Sequence, residues 1–352
     1  MSIITKNYLS ENYLEISAAT VRLGLITGLF AGILALIYVL TAPDNLYIIL
    51  AEVAILVVGL IKTVGLNEGY VIQVKYSIFM AVTGGIATFA GSYLGCSGFY
   101  TTIILCCIVP FIGLTAGSTK MIAALVLFTV DMFVIGTGVP ASFLVSIYYG
   151  FSFFIGGIIL LCIFYLVNRY FTSPNFSDIG KQQFELKIIF KNCREHYDYM
   201  LIITIAVVVA NIISYYFNLL NGFWIPMTAL LILKSDYKFS KSRINHRFIG
   251  TILGSIVVFI LFFFVFNQLL FAILLFPVFF FIIIAFAKHY GSYTFFLTIM
   301  VAILYGLFIP NRYETIEYRV IDTVIGIAAA ITILYLLRYF LQKKHVRSNV
   351  DA

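Results

Sequence analysis

Few residues of this chain carry a charge inside an apolar run, and those few are where chemistry could occur. Glu52 falls within the run 45–66, Asp131 toward the far part of 119–137, and Asp322 near the start of 318–341, three residues after Arg319. An ionisable group at the centre of a bilayer costs about 2.5–3.5 kcal/mol on insertion scales, so it normally faces a bundle interior or a wet cavity. Arg319 and Asp322 share one helix face, and that spacing favours a structural ion pair. Glu52 and Asp131 have no basic neighbour at the same depth on their own runs, so each needs a partner on another helix, a proton or water. A carboxyl that takes up and releases a proton could couple a gradient to movement, which makes Glu52 and Asp131 the coupling candidates. The plainer readings are a hydrogen bond to a hydroxyl or backbone group for Glu52, and a place in an outer vestibule for Asp131.

A second group of residues suits an anion. Lys234, Lys238, Lys241, Arg243, His246 and Arg247, flanked by Asp236, follow the short apolar run 222–234. Their plain reading is retention of a cytoplasmic loop; the sharper one is an electropositive vestibule that concentrates an anionic solute. Trp224, Pro226 and Thr228 lie in the short run itself, where a proline can free backbone carbonyls to line a cavity. Trp224, Thr228, Lys234, Arg243 and Arg247 are therefore the vestibule and pore candidates. Other chemistry lacks its residues: there is no H-E-x-x-H, G-x-S-x-G or dinucleotide glycine fingerprint, and Gly113-Leu-Thr-Ala-Gly-Ser-Thr-Lys120 has the wrong order for a Walker phosphate loop. The histidines are scattered at the ends of apolar runs, and the five cysteines show neither a C-x-x-C pair nor metal-ligand spacing. No enzymatic role, metal or cofactor is expected.

The elements that must position these residues are set by composition. The 352 residues are 62% hydrophobic and 11% charged, with mean hydropathy +1.06, whereas a soluble domain is about half apolar and a quarter charged. The apolar residues form runs long enough to cross a ~30 Å hydrocarbon core as helices, without the alternation of a β-barrel. The expected fold is thus an all-α integral membrane protein with about twelve transmembrane helices. The candidate spans are 18–40, 45–66, 71–94, 98–116, 119–137 and 141–169, then 198–219, 222–234, 248–266, 268–287, 291–309 and 318–341. They divide the chain into an N-terminal segment 1–17, a first half 18–169, a linker 170–197, a second half 198–341 and a tail 342–352. The N-terminal segment lacks the pattern of a cleaved signal peptide, so the first span is expected to persist. The linker places Lys181, Lys187, Lys191 and Arg194 among apolar residues and reads as a short interfacial helix facing anionic headgroups, or as a solvated connector.

On this topology every Lys and Arg except Arg312 and Arg319 falls on the face that bears both termini, which the positive-inside rule makes cytoplasmic. The basic residues are thus topology signals, and nucleic acid is not an expected partner. The halves align by an aromatic opening the second span (Tyr47, Trp224), a basic turn, and a third span rich in small residues. In that third span Gly250 and Gly254, beside Thr251 and Ser255, answer Gly84, Thr88 and Ser92 with Gly91 and Gly95. Small residues four apart let helix backbones approach closely. Six spans per half make the repeats parallel, with a solute path at their interface, an architecture that leans toward a transporter or channel.

Phe223-Trp224-Ile-Pro-Met-Thr228-Ala-Leu-Leu-Ile-Leu, the basic turn, Arg247-Phe-Ile-Gly250-Thr251-Ile-Leu-Gly254-Ser255, and Tyr318-Arg319-Val-Ile-Asp322-Thr323-Val-Ile-Gly326 together resemble the fusaric acid resistance (FUSC-like) family of bacterial inner-membrane proteins. The resemblance covers about 222–330 and is only topological before that. It implies kinship with aromatic carboxylic acid exporters and, more distantly, with plant aluminium-activated malate channels. It places Trp224, Thr228, Arg247, Gly250, Thr251, Gly254, Arg319, Asp322, Thr323 and Gly326 on the family pattern and implies largely architectural roles for them. Unlike many members, the chain carries no sizeable soluble domain between its halves, and its first half has no clear Arg ahead of its packing glycines. The expected function is efflux of a small organic anion, of the aromatic carboxylate type, across a bacterial inner membrane. The alternatives are a passive anion channel and a non-transporting membrane scaffold or assembly protein. Lipid and the anion are the expected partners, and the reading leaves room for a homo-oligomer and a periplasmic adaptor protein.

Overall fold

With no water to satisfy it, a backbone in lipid must bond to itself, and each apolar run accordingly becomes helix. The computed structural model describes residues 17–41, 47–65, 70–116, 118–171, 196–219, 221–265, 267–308 and 312–350. The first half contains α1 (Ala18–Thr41), α2 (Tyr47–Val64), α3 (Tyr70–Leu94), α4 (Gly98–Ile108), α5 (Pro110–Leu114), α6 (Lys120–Thr137) and α7 (Phe143–Phe171). The second contains α8 (Tyr197–Tyr216), α9 (Trp224–Ile232), α10 (Tyr237–Phe264), α11 (Gln268–Lys288), α12 (Tyr290–Phe308) and α13 (Arg312–Val350). Eight described helices, namely α1, α3, α6, α7, α8, α10, α11 and the apolar part of α13, are long and apolar enough to cross a membrane. The chain is therefore a multi-pass helical membrane protein. Of the linker 170–197, where an interfacial helix is expected, residues 172–195 lie outside the described residues, as do 1–16.

Three elements differ from the expected spans. The run 98–116 is divided at Val109, because Pro110 has no N–H to continue α4 and instead opens α5 at its first position. The run 222–234 yields only nine helical residues, α9, and all nine are buried. At 1.5 Å per residue such a helix reaches less than half of a ~30 Å core, so it survives by being enclosed in protein rather than lipid. The third difference concerns the basic turn. It is helical: Asp236 caps α10 by accepting from the Lys238 amide at 2.8 Å, and the helix runs unbroken from Tyr237 into the apolar segment. Its residues therefore sort by helical face. At the other end, α13 continues as helix through Val350, across most of the expected tail.

Close glycine contacts hold the bundle. Gly91 and Gly136 lie against each other where α3 and α6 run side by side, and a Cβ on Gly136 would come within 2.6 Å of the Thr88 carbonyl oxygen. Gly250 and Gly254 do the same for α10 against Gly291, Phe295 and Thr298 of α12, where Thr294 also donates to the His246 carbonyl at 3.0 Å. Helix α3 thus runs parallel to α6, and α10 to α12, through small residues. Between the halves, Gly24, Gly28 and Gly32 of α1 receive Phe276 and Phe280 of the antiparallel α11. Correspondingly, α8 packs on α4 and α5, with Asn211 donating to Thr102 Oγ1 at 3.0 Å.

Candidate functional site

Helices α2, α6, α7, α9 and α12 do not close completely on one another, and a cavity of about 370 Å³ remains between the two halves. One face of α2 supplies Leu50, Val53, Val57 and Leu60, spaced by three and four residues as a helix face requires. Aromatic rings form much of the remainder: Phe128, Tyr149, Phe223, Trp224 and Tyr293. Among the described lining residues Asp131 alone bears a formal charge. It is 1% exposed, and its Oδ1 has no hydrogen-bond partner.

Cations stand behind this wall. Asp131 lies within electrostatic reach of Lys234 and Arg247, and Tyr293 within reach of Arg247, Arg243 and Asp131. Arg247 is 0% exposed, and its Nε, Nη1 and Nη2 make no hydrogen bond. A guanidinium has five donors in a fixed fork, so burying it without acceptors is costly unless an anion or water is shared with it. Arg243, one turn earlier on α10, donates to the Leu231 carbonyl at 3.0 Å and lies 4.4 Å above the Tyr290 ring. Lys238 and Lys241 are exposed on the opposite face. The expected vestibule of loop cations is therefore split by the helix into an inward pair, Arg243 and Arg247, an outward pair of lysines, and a half-buried Lys234 in the connector.

The remaining sequence candidates separate in the same way. Asp131 shares a neighbourhood with the basic segment of α10. Glu52 is as buried as Asp131, and neither of its oxygens has a hydrogen-bond partner, yet it is absent from the cavity wall. It lies two turns before Gly59, on the face of α2 that meets Thr27 of α1 and Ile283 of α11. The hydroxyl or backbone bond suggested for Glu52 is not made. Trp224 lines the cavity, but Thr228, one turn on, packs against Gly326 of α13, where an added Cβ would come within 2.8 Å. Gly250, Thr251 and Gly254 are buried along α10.

Arg319 and Asp322 are both buried. No hydrogen bond reaches either carboxylate oxygen of Asp322, but Arg319 lies within electrostatic reach of it. The Arg319 guanidinium also lies 3.4 Å above the Trp224 ring, a cation–π contact between α13 and α9. Sequence spacing identifies neighbours on one helix and is blind to such a partner on another. It was equally blind to Tyr293: nothing local distinguishes it from the other tyrosines among the 24.

A second pocket of about 360 Å³ adjoins the first and shares Gly138, Pro140, Asn221 and Phe223 with it. Its remaining wall is polar and uncharged, with Thr101, Thr137, Asn211, Ser214 and Asn218.

Residues 200–333 match the family described as fusaric acid resistance protein-like. The match spans α8 through most of α13 and so includes Trp224, Arg247, Tyr293 and Arg319, but not Asp131. No curated protein matches the chain, and no solved structure does.

Proposed function

Taking the second half as a fusaric acid resistance protein-like region of a multi-pass membrane protein, we propose that the chain exports small organic anions of the aromatic carboxylate type. The path runs across a bacterial inner membrane through the cavity between two parallel six-helix halves, with both termini cytoplasmic. Membrane transport is the activity to which the family and the apolar helices point; substrate, direction and repeat are our reading. The observation that carries it is the cavity itself, ringed by Phe128, Tyr149, Phe223, Trp224 and Tyr293, with Asp131 in its wall and Arg247 and Lys234 within electrostatic reach. Ring faces and edges suit the body of an aromatic acid. The buried cations offset its carboxylate, and Asp131 carries the coupling proton.

The recurrent pairing of third with fifth spans, and of first with fourth across the halves, supports the repeat. Export of an anion from a cell negative inside is favoured by about 2.3 kcal/mol per charge per 100 mV, so voltage and proton coupling can act together. The test is counterflow of radiolabelled benzoate in proteoliposomes, with and without a pH gradient, for the natural protein and for Asp131→Asn. Saturable, gradient-driven flux that Asp131→Asn abolishes supports the reading. Flux that follows voltage alone replaces it with a passive channel, and no flux of any anion replaces it with a scaffold.

A further inference from the structure

The two adjoining pockets differ in chemistry and in position. Buried helix faces form most of the apolar cavity, which reaches the exposed Pro140 where it adjoins the polar pocket, whereas the polar pocket has Tyr215 and Asn218 exposed at its rim as well. That rim is formed by the connectors after α3, α6 and α8. Deeper in the pocket, Asn211 is buried and donates to Thr101 Oγ1 at 3.4 Å and Thr102 Oγ1 at 3.0 Å. Where the pockets meet, Phe223 is seated directly on Gly138, so closely that any side chain at 138 would overlap its ring. Its other side meets Trp224, with ring centroids 4.6 Å apart. Two residues in the left-handed region, Asn218 at φ 47° and Asn221 at φ 61°, fold the connector back so that Phe223 faces inward.

We propose that the polar pocket is the mouth of the solute path, and that Phe223 on Gly138 partitions it from the apolar cavity and limits which solutes pass by bulk. The mouth offers neutral hydrogen-bonding groups and no charge, so it receives a solute's polar end without holding it. This inference rests on the transport reading, but its geometry can be tested without flux. In the proposed topology the mouth faces away from the termini, toward the medium of intact cells.

The experiment starts from a background in which Cys96, Cys106, Cys107, Cys162 and Cys193 are replaced by alanine. Ser214→Cys reports on the mouth and Val301→Cys on the cavity, each read as the rate of modification by a membrane-impermeant trimethylammonium thiosulfonate added to cells. Ser214→Cys is expected to react readily and Val301→Cys slowly. Adding Phe223→Ala is expected to speed Val301→Cys about tenfold while leaving Ser214→Cys unchanged. Phe223→Leu, a milder truncation, gives a smaller increase and guards against misfolding. Equal rates at the two positions with Phe223 in place, or a Val301→Cys rate indifferent to both Phe223 variants, would overturn the partition. If this labelling pattern holds while benzoate counterflow is absent from the natural protein, the transport reading fails alone.

Discussion

Glu52 and Asp131 are both carboxyls on apolar helices, both about 1% exposed, and both incompletely hydrogen-bonded. They nevertheless stand in different places. Asp131 borders a cavity with Tyr293 in the same wall and Lys234 and Arg247 close enough to act on it. Glu52 points into packed helix, on the side of α2 that meets α1 and α11. Burial alone thus does not nominate a coupling group. A proton carrier must also border the solute path and a charge that compensates it; of the two, Asp131 lines the cavity and has Lys234 and Arg247 within electrostatic reach.

The largest effect that could break this comparison is on driven flux. Asp131→Asn is expected to abolish benzoate counterflow dependent on a pH gradient, whereas Glu52→Gln retains it. Loss in Glu52→Gln with survival in Asp131→Asn would reverse the assignment. Next comes Arg247, whose unbonded guanidinium shares the neighbourhood of Asp131. Arg247→Gln should lower transport about tenfold or more, chiefly through KM, because it removes a buried positive charge that acts on Asp131 in the cavity wall. A smaller effect concerns stability. Replacing Glu52 by leucine removes a buried polar group that no hydrogen bond satisfies, and should raise resistance to thermal unfolding in detergent by on the order of 1 kcal/mol. A lower midpoint would mean that Glu52 has a partner in another state of the bundle. The smallest change is expected for Lys238→Ala with Lys241→Ala, since both side chains are exposed. Initial rates should fall by about twofold at low salt and less at physiological salt, where screening acts within roughly 8 Å. A larger loss would restore the outward lysines to the solute path.

The basic segment shows how far local reading carries. Its charges and the glycines that follow were evident from residue types, yet their division was not. A chain read as a loop offers all its cations to water, whereas the helix from Tyr237 turns Arg243 and Arg247 inward and Lys238 and Lys241 outward. Arg319 and Asp322 teach the same lesson. Their three-residue separation placed them on one face, but the close ring over which Arg319 settles, Trp224, comes from almost a hundred residues earlier in the chain.

By itself, the sequence determined the solvent, the helical class and the places of close packing. Long apolar runs admit only helices in lipid, and glycines four apart invite another backbone. These are local consequences of residue type and spacing. Tertiary structure alone decided which of two buried carboxyls faces a cavity, which cations stand behind it, and which of many aromatic residues line it. Those outcomes depend on rotations of whole helices set by contacts distant in sequence: α1 on α11, α3 on α6, and α9 enclosed against α13. A rotation of one residue, about 100° around a helix, would exchange a cavity-facing side chain for a buried or lipid-facing one, and no local pattern records it.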